Sequence, residues 1–160
     1  WRQHQDDRWM VFVNPPHTPW AEALLQQGLN PQRIDCIQCA DQESAWCLQQ
    51  LAQSACTASI VAWSAGTYHN TQLRRLQLAC QQGQTQLFLV RETTVRNHAS
   101  PAPMRAQLHQ DQERFAVEVF KQPGASAKPA VWIPHAFDWV HTTPPAQRKI
   151  TTIKTLSDVH

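Results

Sequence analysis

Cys36 and Cys39 form a CxxC, the first spacing in the chain that could carry chemistry. In a thioredoxin-like site such a pair opens a helix, whose dipole lowers the thiol pKa. A zinc site wants a second pair at finger spacing. Here Cys36 falls inside the alternating segment Arg33-Ile34-Asp35-Cys36-Ile37-Gln38, which reads as a strand, and Cys39 comes two residues before Asp41, a helix cap. Neither Cys47, Cys56, Cys80 nor the eight scattered histidines supply a second clustered pair. The thiols therefore read as small buried apolar residues, with metal binding and redox chemistry as the alternatives. Ser64 and His69 could be named nucleophile and base, but Ala62-Trp63-Ser64-Ala65-Gly66 lacks the G-x-S-x-G elbow that exposes a serine on a strained turn. A loop serine after a strand is the ordinary reading. Arg74 and Arg75 read as a solvated helix face rather than an anion site.

Nucleotide chemistry is excluded on composition. A phosphate-cradling loop needs G-x-x-x-x-G-K-[ST], because glycines let backbone N–H groups wrap the phosphates while the lysine reaches the terminal ones. The glycines are Gly28, Gly66, Gly83 and Gly124, and the first lysine is Lys121. A Mg²⁺-dependent nucleotidase also needs a carboxylate at the end of a central strand, yet Ser44 through Arg91 contains no Asp or Glu. No cofactor, no metal and no enzymatic activity are expected.

The elements that would position these residues follow from periodicity. Trp9-Met10-Val11-Phe12-Val13 is a continuous apolar run closed by Asn14-Pro15-Pro16, a buried strand entering a stiff loop. Trp20 to Gln27 reads as a short helix ended by Gly28. After the strand at 33–38, Asp41 caps a helix with Leu48, Leu51, Ala52 and Ala55 on one line. Ala58 to Trp63 is a third strand, Asn70 to Gln82 a helix stopping at Gly83 with Leu73, Leu76 and Cys80 inward, and Gln86 to Arg91 a fourth strand. This β-α repetition predicts a mostly parallel sheet covered by helices on both faces. Beyond Thr94 the period becomes two: Met104, Ala106 and Leu108, then Phe115, Val117 and Val119, predict an antiparallel hairpin that adds a mixed edge to the sheet. Ala130 to Ile133 adds one more strand. A single domain is expected over 1–141, and 142–160 reads as a loosely held tail.

With 42% hydrophobic and 16% charged residues, the 160-residue chain can bury a core. Net charge is +2, too small to announce a nucleic-acid or membrane partner. No apolar stretch approaches the roughly 18–20 residues a membrane span needs. Five cysteines at low density favour reduced thiols in a cytoplasm. The chain opens on Trp1 rather than Met, so a native start is expected upstream.

Arg8-Trp9, the strand to Asn14-Pro15-Pro16, the turn Gly28-Leu29-Asn30, Val61-Ala62-Trp63, and Gln72-Leu73-Arg74-Arg75-Leu76-Gln77-Leu78-Ala79 followed by Gly83 resemble, in order, the SulA and ImuA group. The likeness covers about Arg8 to Lys121. Members look like RecA without a working ATP site, which implies a RecA-like α/β fold. SulA is an SOS-induced, DNA-damage-dependent inhibitor of septation that binds FtsZ; ImuA is an accessory of translesion synthesis whose implied partners are RecA and polymerase components. For this chain the resemblance implies docking on FtsZ through Arg8, Val13 and Arg33, with Trp20 one turn before the position where the group carries a tryptophan and Ala23 stands here. Pro15 to Leu24, Ser44-Ala45-Trp46 and the extension Ser100-Pro101-Ala102-Pro103-Met104 into a hairpin are closer to ImuA. Arg8, Val13, Trp20 and Arg33 are the candidate partner-binding residues, on one face. A homodimer is compatible with the sequence.

Overall fold

The computed structural model describes residues 7–64, 68–110, 114–124 and 130–134. The chain divides into two compact units with the boundary between Ala99 and Ser100, where the sequence predicts one domain over 1–141. The boundary has a physical reason: Glu92 to Pro103 is polar and holds Pro101 and Pro103, the composition of an exposed linker rather than of a packed element. The tail at 142–160 lies outside the described residues.

The first unit runs β1 (Trp9–Val13), α1 (Ala21–Gln26), β2 (Ile34–Ile37), α2 (Asp41–Gln53), β3 (Thr57–Trp63), α3 (Asn70–Gly83) and β4 (Gln86–Val90). Its four strands are all parallel, in the order β2-β1-β3-β4. The chain moves one way from β1 to β2 and the other way from β2 to β3 and β4. Right-handed crossovers in these directions place α1 on one face and α2 with α3 on the other.

Alternate residues of each strand feed the two faces. Val11, Val13, Ile60 and Ala62 pack with Leu48 and Ala52 of α2, Leu76 and Ala79 of α3, and Tyr68 in one core. Met10 and Phe12, equally buried, point the other way, and Phe12 meets the edge of Trp63 at 5.9 Å between ring centroids. Burial on both faces is why β1 is a continuous apolar run instead of an alternating one.

The helix ends depart from the sequence reading in instructive ways. The cap of α2 is Ala40, and Asp41 is its first residue; Asp41 and Glu43 suit the positive end of the helix without capping it. Ala55 lies past the helix, exposed and left-handed at φ 56°, so it is not a fourth core position. Helix α1 is six residues long and buries none of them fully. It closes as expected at Gly28 (φ 74°), with the Leu29 N–H donating to Leu24 O at 2.9 Å and the Gly28 N–H to Leu25 O at 2.8 Å. Gly83 has a different task from ending α3. The left-handed residue there is Gln84 (φ 51°), while a Cβ on Gly83 would collide with the Ala52 carbonyl oxygen. The glycine lets the C-terminal ends of α2 and α3 touch.

The second unit contains β5 (Arg105–Gln110), β6 (Arg114–Lys121) and β7 (Val131–Pro134), antiparallel in the order β5-β6-β7. The hairpin forms where period two predicts it, but it builds its own sheet and adds no mixed edge to the parallel one. β6 is paired on both sides, so its ladder is complete within the unit. His109 Nε2 lies 3.1 Å from Glu118 Oε2 across the hairpin.

Candidate partner-docking face

Strand β1 has two ends, and the four residues singled out by the sequence divide between them. At the N-terminal end, Arg8 reaches across the base of the sheet: its Nη1 donates to Gly83 O at 3.2 Å, Gln84 O at 3.1 Å and Thr57 O at 3.5 Å. A fixed cation at the last carbonyls of α3 is favoured by the helix dipole and satisfies acceptors that the helix leaves open. Arg8 is thus a clamp that ties β1 to the α3–β4 turn, and any docking role comes on top of that task. The expected result of Arg8→Ala is a loss of about 1–3 kcal/mol in urea-induced unfolding, because carbonyls are left without their donor. An unchanged unfolding midpoint would show that the clamp carries no stability.

Next to it, Trp9 is 40% exposed although it belongs to β1. A 3-10 turn at Pro31–Arg33, capped by the Asn30 side chain on the Gln32 N–H at 3.0 Å, brings the exposed Arg33 guanidinium over the Trp9 ring, 5.8 Å from its centroid. Stacking holds the arginine extended with its donors still open to solvent. Arg8, Trp9 and Arg33 therefore share the N-terminal edge of the sheet. Trp9 was missed in the sequence because it opens an apolar run and reads as core. Its position as the first residue of that run was the only signal.

Val13 and Trp20 lie at the other end, about 13–16 Å away at 3.3 Å per strand residue. Val13 is fully buried in the core, so its side chain is not available to a partner. This corrects the docking role assigned to Val13. The last residue of β1 is near the edge, but its parity turns it toward α2 and α3. Trp20 is half-buried at the start of α1, and its indole N–H is buried without a hydrogen bond. The four candidates do not form one face: at the N-terminal end of the sheet Arg8 turns to the α3–β4 turn and Arg33 lies over Trp9, while Val13 and Trp20 are at the other end of β1.

The other chemistry-bearing residues have local tasks. Ser64 is buried, with its N–H donating to Val90 O at 3.1 Å, and His69 sits at the start of α3, its N–H donating to Gln72 Oε1 at 2.9 Å in a capping box. Arg74 and Arg75 are both exposed on α3. Three thiols are pushed above their ordinary pKa: Cys80 by burial, Cys36 by burial and then Asp35, and Cys47 up to about 11 by burial, then Cys39, then Glu43. Among the described residues no three His, Cys, Asp or Glu side chains converge as a metal site would require. No helix among them is long and apolar enough to cross a membrane.

Fold and edge together define an α/β protein with a four-stranded parallel sheet that presents an arginine stacked on an exposed tryptophan. No protein-family model matches the chain, and no curated protein matches it significantly. Among solved structures it is similar to the crystal structure of SulA from Pseudomonas aeruginosa, at 26% identity and a TM-score of 0.48, over 56% of this chain and 75% of that one.

Proposed function

We propose that this protein is a non-catalytic, SulA-like inhibitor of cell division that docks on FtsZ and blocks its polymerisation. The observation that carries the reading is the exposed Trp9–Arg33 stack, on the edge that also holds Arg8. Arg8 and Arg33 match the positions that the sequence resemblance gives an FtsZ-facing role. Tryptophan and arginine are the residue types that dominate binding energy at interfaces. The motifs of the resemblance also coincide with the joints of the first unit: Arg8 is the clamp, Gly28 the helix stop, Gly83 the α2–α3 contact. In this reading the sheet is a RecA-like one without an ATP site, and the protein works in the cytoplasm without cofactor or direct nucleic-acid contact. Inhibition is steric: one molecule covers the FtsZ surface that must meet the next subunit, so growth falls as free FtsZ is titrated.

A second reading, an ImuA-like accessory of translesion synthesis, is favoured by the antiparallel unit that Ser100-Pro101-Ala102-Pro103-Met104 leads into. Calorimetric titration of purified FtsZ and, separately, RecA into the protein tests both. Saturable binding of FtsZ with none of RecA is the expected result. Binding of RecA alone selects the second reading, and binding of neither overturns both.

A further inference from the structure

Helices α2 and α3 form one layer on the sheet, and the outer surface of that layer has no task so far. α2 links β2 to β3 and α3 links β3 to β4; the strands are parallel, so the two helices run side by side in the same direction. Toward their C-terminal ends the Gln53 side-chain amide of α2 donates to Gln82 Oε1 of α3 at 3.2 Å, a bond exposed to solvent. Trp46 stands two turns before Gln53, Arg75 two turns before Gln82, and Leu78 one turn before Gln82. Residues one or two turns apart share a helix face, so these side chains line one outward seam between the helices, about 10 Å long.

The inward positions Leu48, Ala52, Leu76 and Ala79 already make the core, whereas Trp46 is 65% and Leu78 58% exposed. Arg74 and Arg75, beside Leu78, are exposed too, and among the described residues neither forms an ion pair. No Asp or Glu occurs from Ser44 through Arg91, so the positive charge of the seam is not neutralised by either helix beyond the first turn of α2, where Asp41 and Glu43 bound it. An exposed tryptophan and leucine beside arginines have the composition of an interface centre rather than of a solvated helix face.

We propose that the α2–α3 seam is a docking surface for an acidic amphipathic helix of a partner protein. Two helices side by side leave a groove that takes the ridge of a third. Apolar residues on one stripe of the guest cover Trp46 and Leu78, and carboxylates flanking that stripe pair with Arg74 and Arg75. The same arginines repel a basic guest. The seam belongs to the helix layer and the Trp9–Arg33 stack to the N-terminal edge of the sheet, so the proposal does not rest on the FtsZ reading.

The test follows amide chemical shifts of the isotope-labelled full chain during titration with a synthetic helical peptide. That peptide carries leucine at i, i+3, i+4 and i+7 with glutamate on both sides of the stripe, and a control peptide has lysine in place of every glutamate. The expected result is saturable shifts centred on α2 and α3, with the lysine peptide about tenfold weaker or more. Trp46→Ala and the double variant Arg74→Glu with Arg75→Glu each lose about tenfold in affinity for the glutamate peptide. All three side chains are exposed, so both variants stay folded by circular dichroism, and their response to FtsZ matches that of the wild-type chain. Equal affinity for the two peptides, shifts centred outside α2 and α3, no shift at roughly millimolar peptide, or a concentration-dependent dimer that Trp46→Ala abolishes would overturn the proposal.

Discussion

Leu48→Ala is expected to lower the stability of the first unit by about 2–5 kcal/mol. Leu48 is fully buried where α2 meets the sheet, in a cluster with Val13, Ile60, Leu76 and Ala79. Removing its branched end leaves a cavity between strand and helix atoms that are fixed by the parallel ladder on one side and by the α2–α3 contact at Gly83 on the other. A site so framed has little room to collapse, which puts the cost at the upper part of that range. Thermal unfolding followed by circular dichroism should show a fall in Tm on the order of 10 °C or more. Trp46→Ala provides the contrast: Trp46 stands on the same helix but is 65% exposed, and its loss should leave Tm nearly unchanged. Equal effects of the two substitutions would contradict the placement of the core.

The second large effect is on binding. Trp9→Ala removes the ring on which Arg33 is stacked, and Arg33→Glu reverses the charge that the stack presents. If the pair is at the centre of the interface with FtsZ, each change weakens binding by about 2 kcal/mol or more, roughly thirtyfold in Kd. Neither side chain is part of the core, so both variants should unfold near the wild-type midpoint. Trp20→Ala is the internal comparison, because Trp20 lies at the other end of β1. Retained binding in Trp9→Ala and Arg33→Glu, with loss in Trp20→Ala, would move the docking face to the C-terminal edge.

Much of the first unit was legible in the sequence because its strands and helices are patterned by burial alone. The run Trp9 to Val13 and the α3 positions Leu73, Leu76 and Cys80 declare their elements without help from distant residues. What stayed hidden depends on contacts remote in sequence. The partners of Arg8 are 49 to 76 residues away, so nothing near Arg8 signals a clamp. Gly83 looks like a helix stop, but its small size answers to a carbonyl on another helix, and Gln84 takes the left-handed turn instead. Val13 is placed at the strand end by the apolar run, whereas which way it points is set by the parity of the whole sheet. The separate hairpin sheet was hidden for a related reason: alternation predicts strands but not which neighbours they pair with. The CxxC shows the same limit, since the four residues Cys36 to Cys39 straddle the end of β2 and leave the two thiols on different faces.

The central claim is inhibition of FtsZ assembly, and sedimentation of polymerising FtsZ with increasing amounts of this protein tests it most directly. The account predicts that pelleted FtsZ falls in proportion to the protein added until assembly stops near equimolar amounts, and that Trp9→Ala and Arg33→Glu restore the pellet. An FtsZ pellet unchanged at several-fold excess of folded wild-type protein would contradict it.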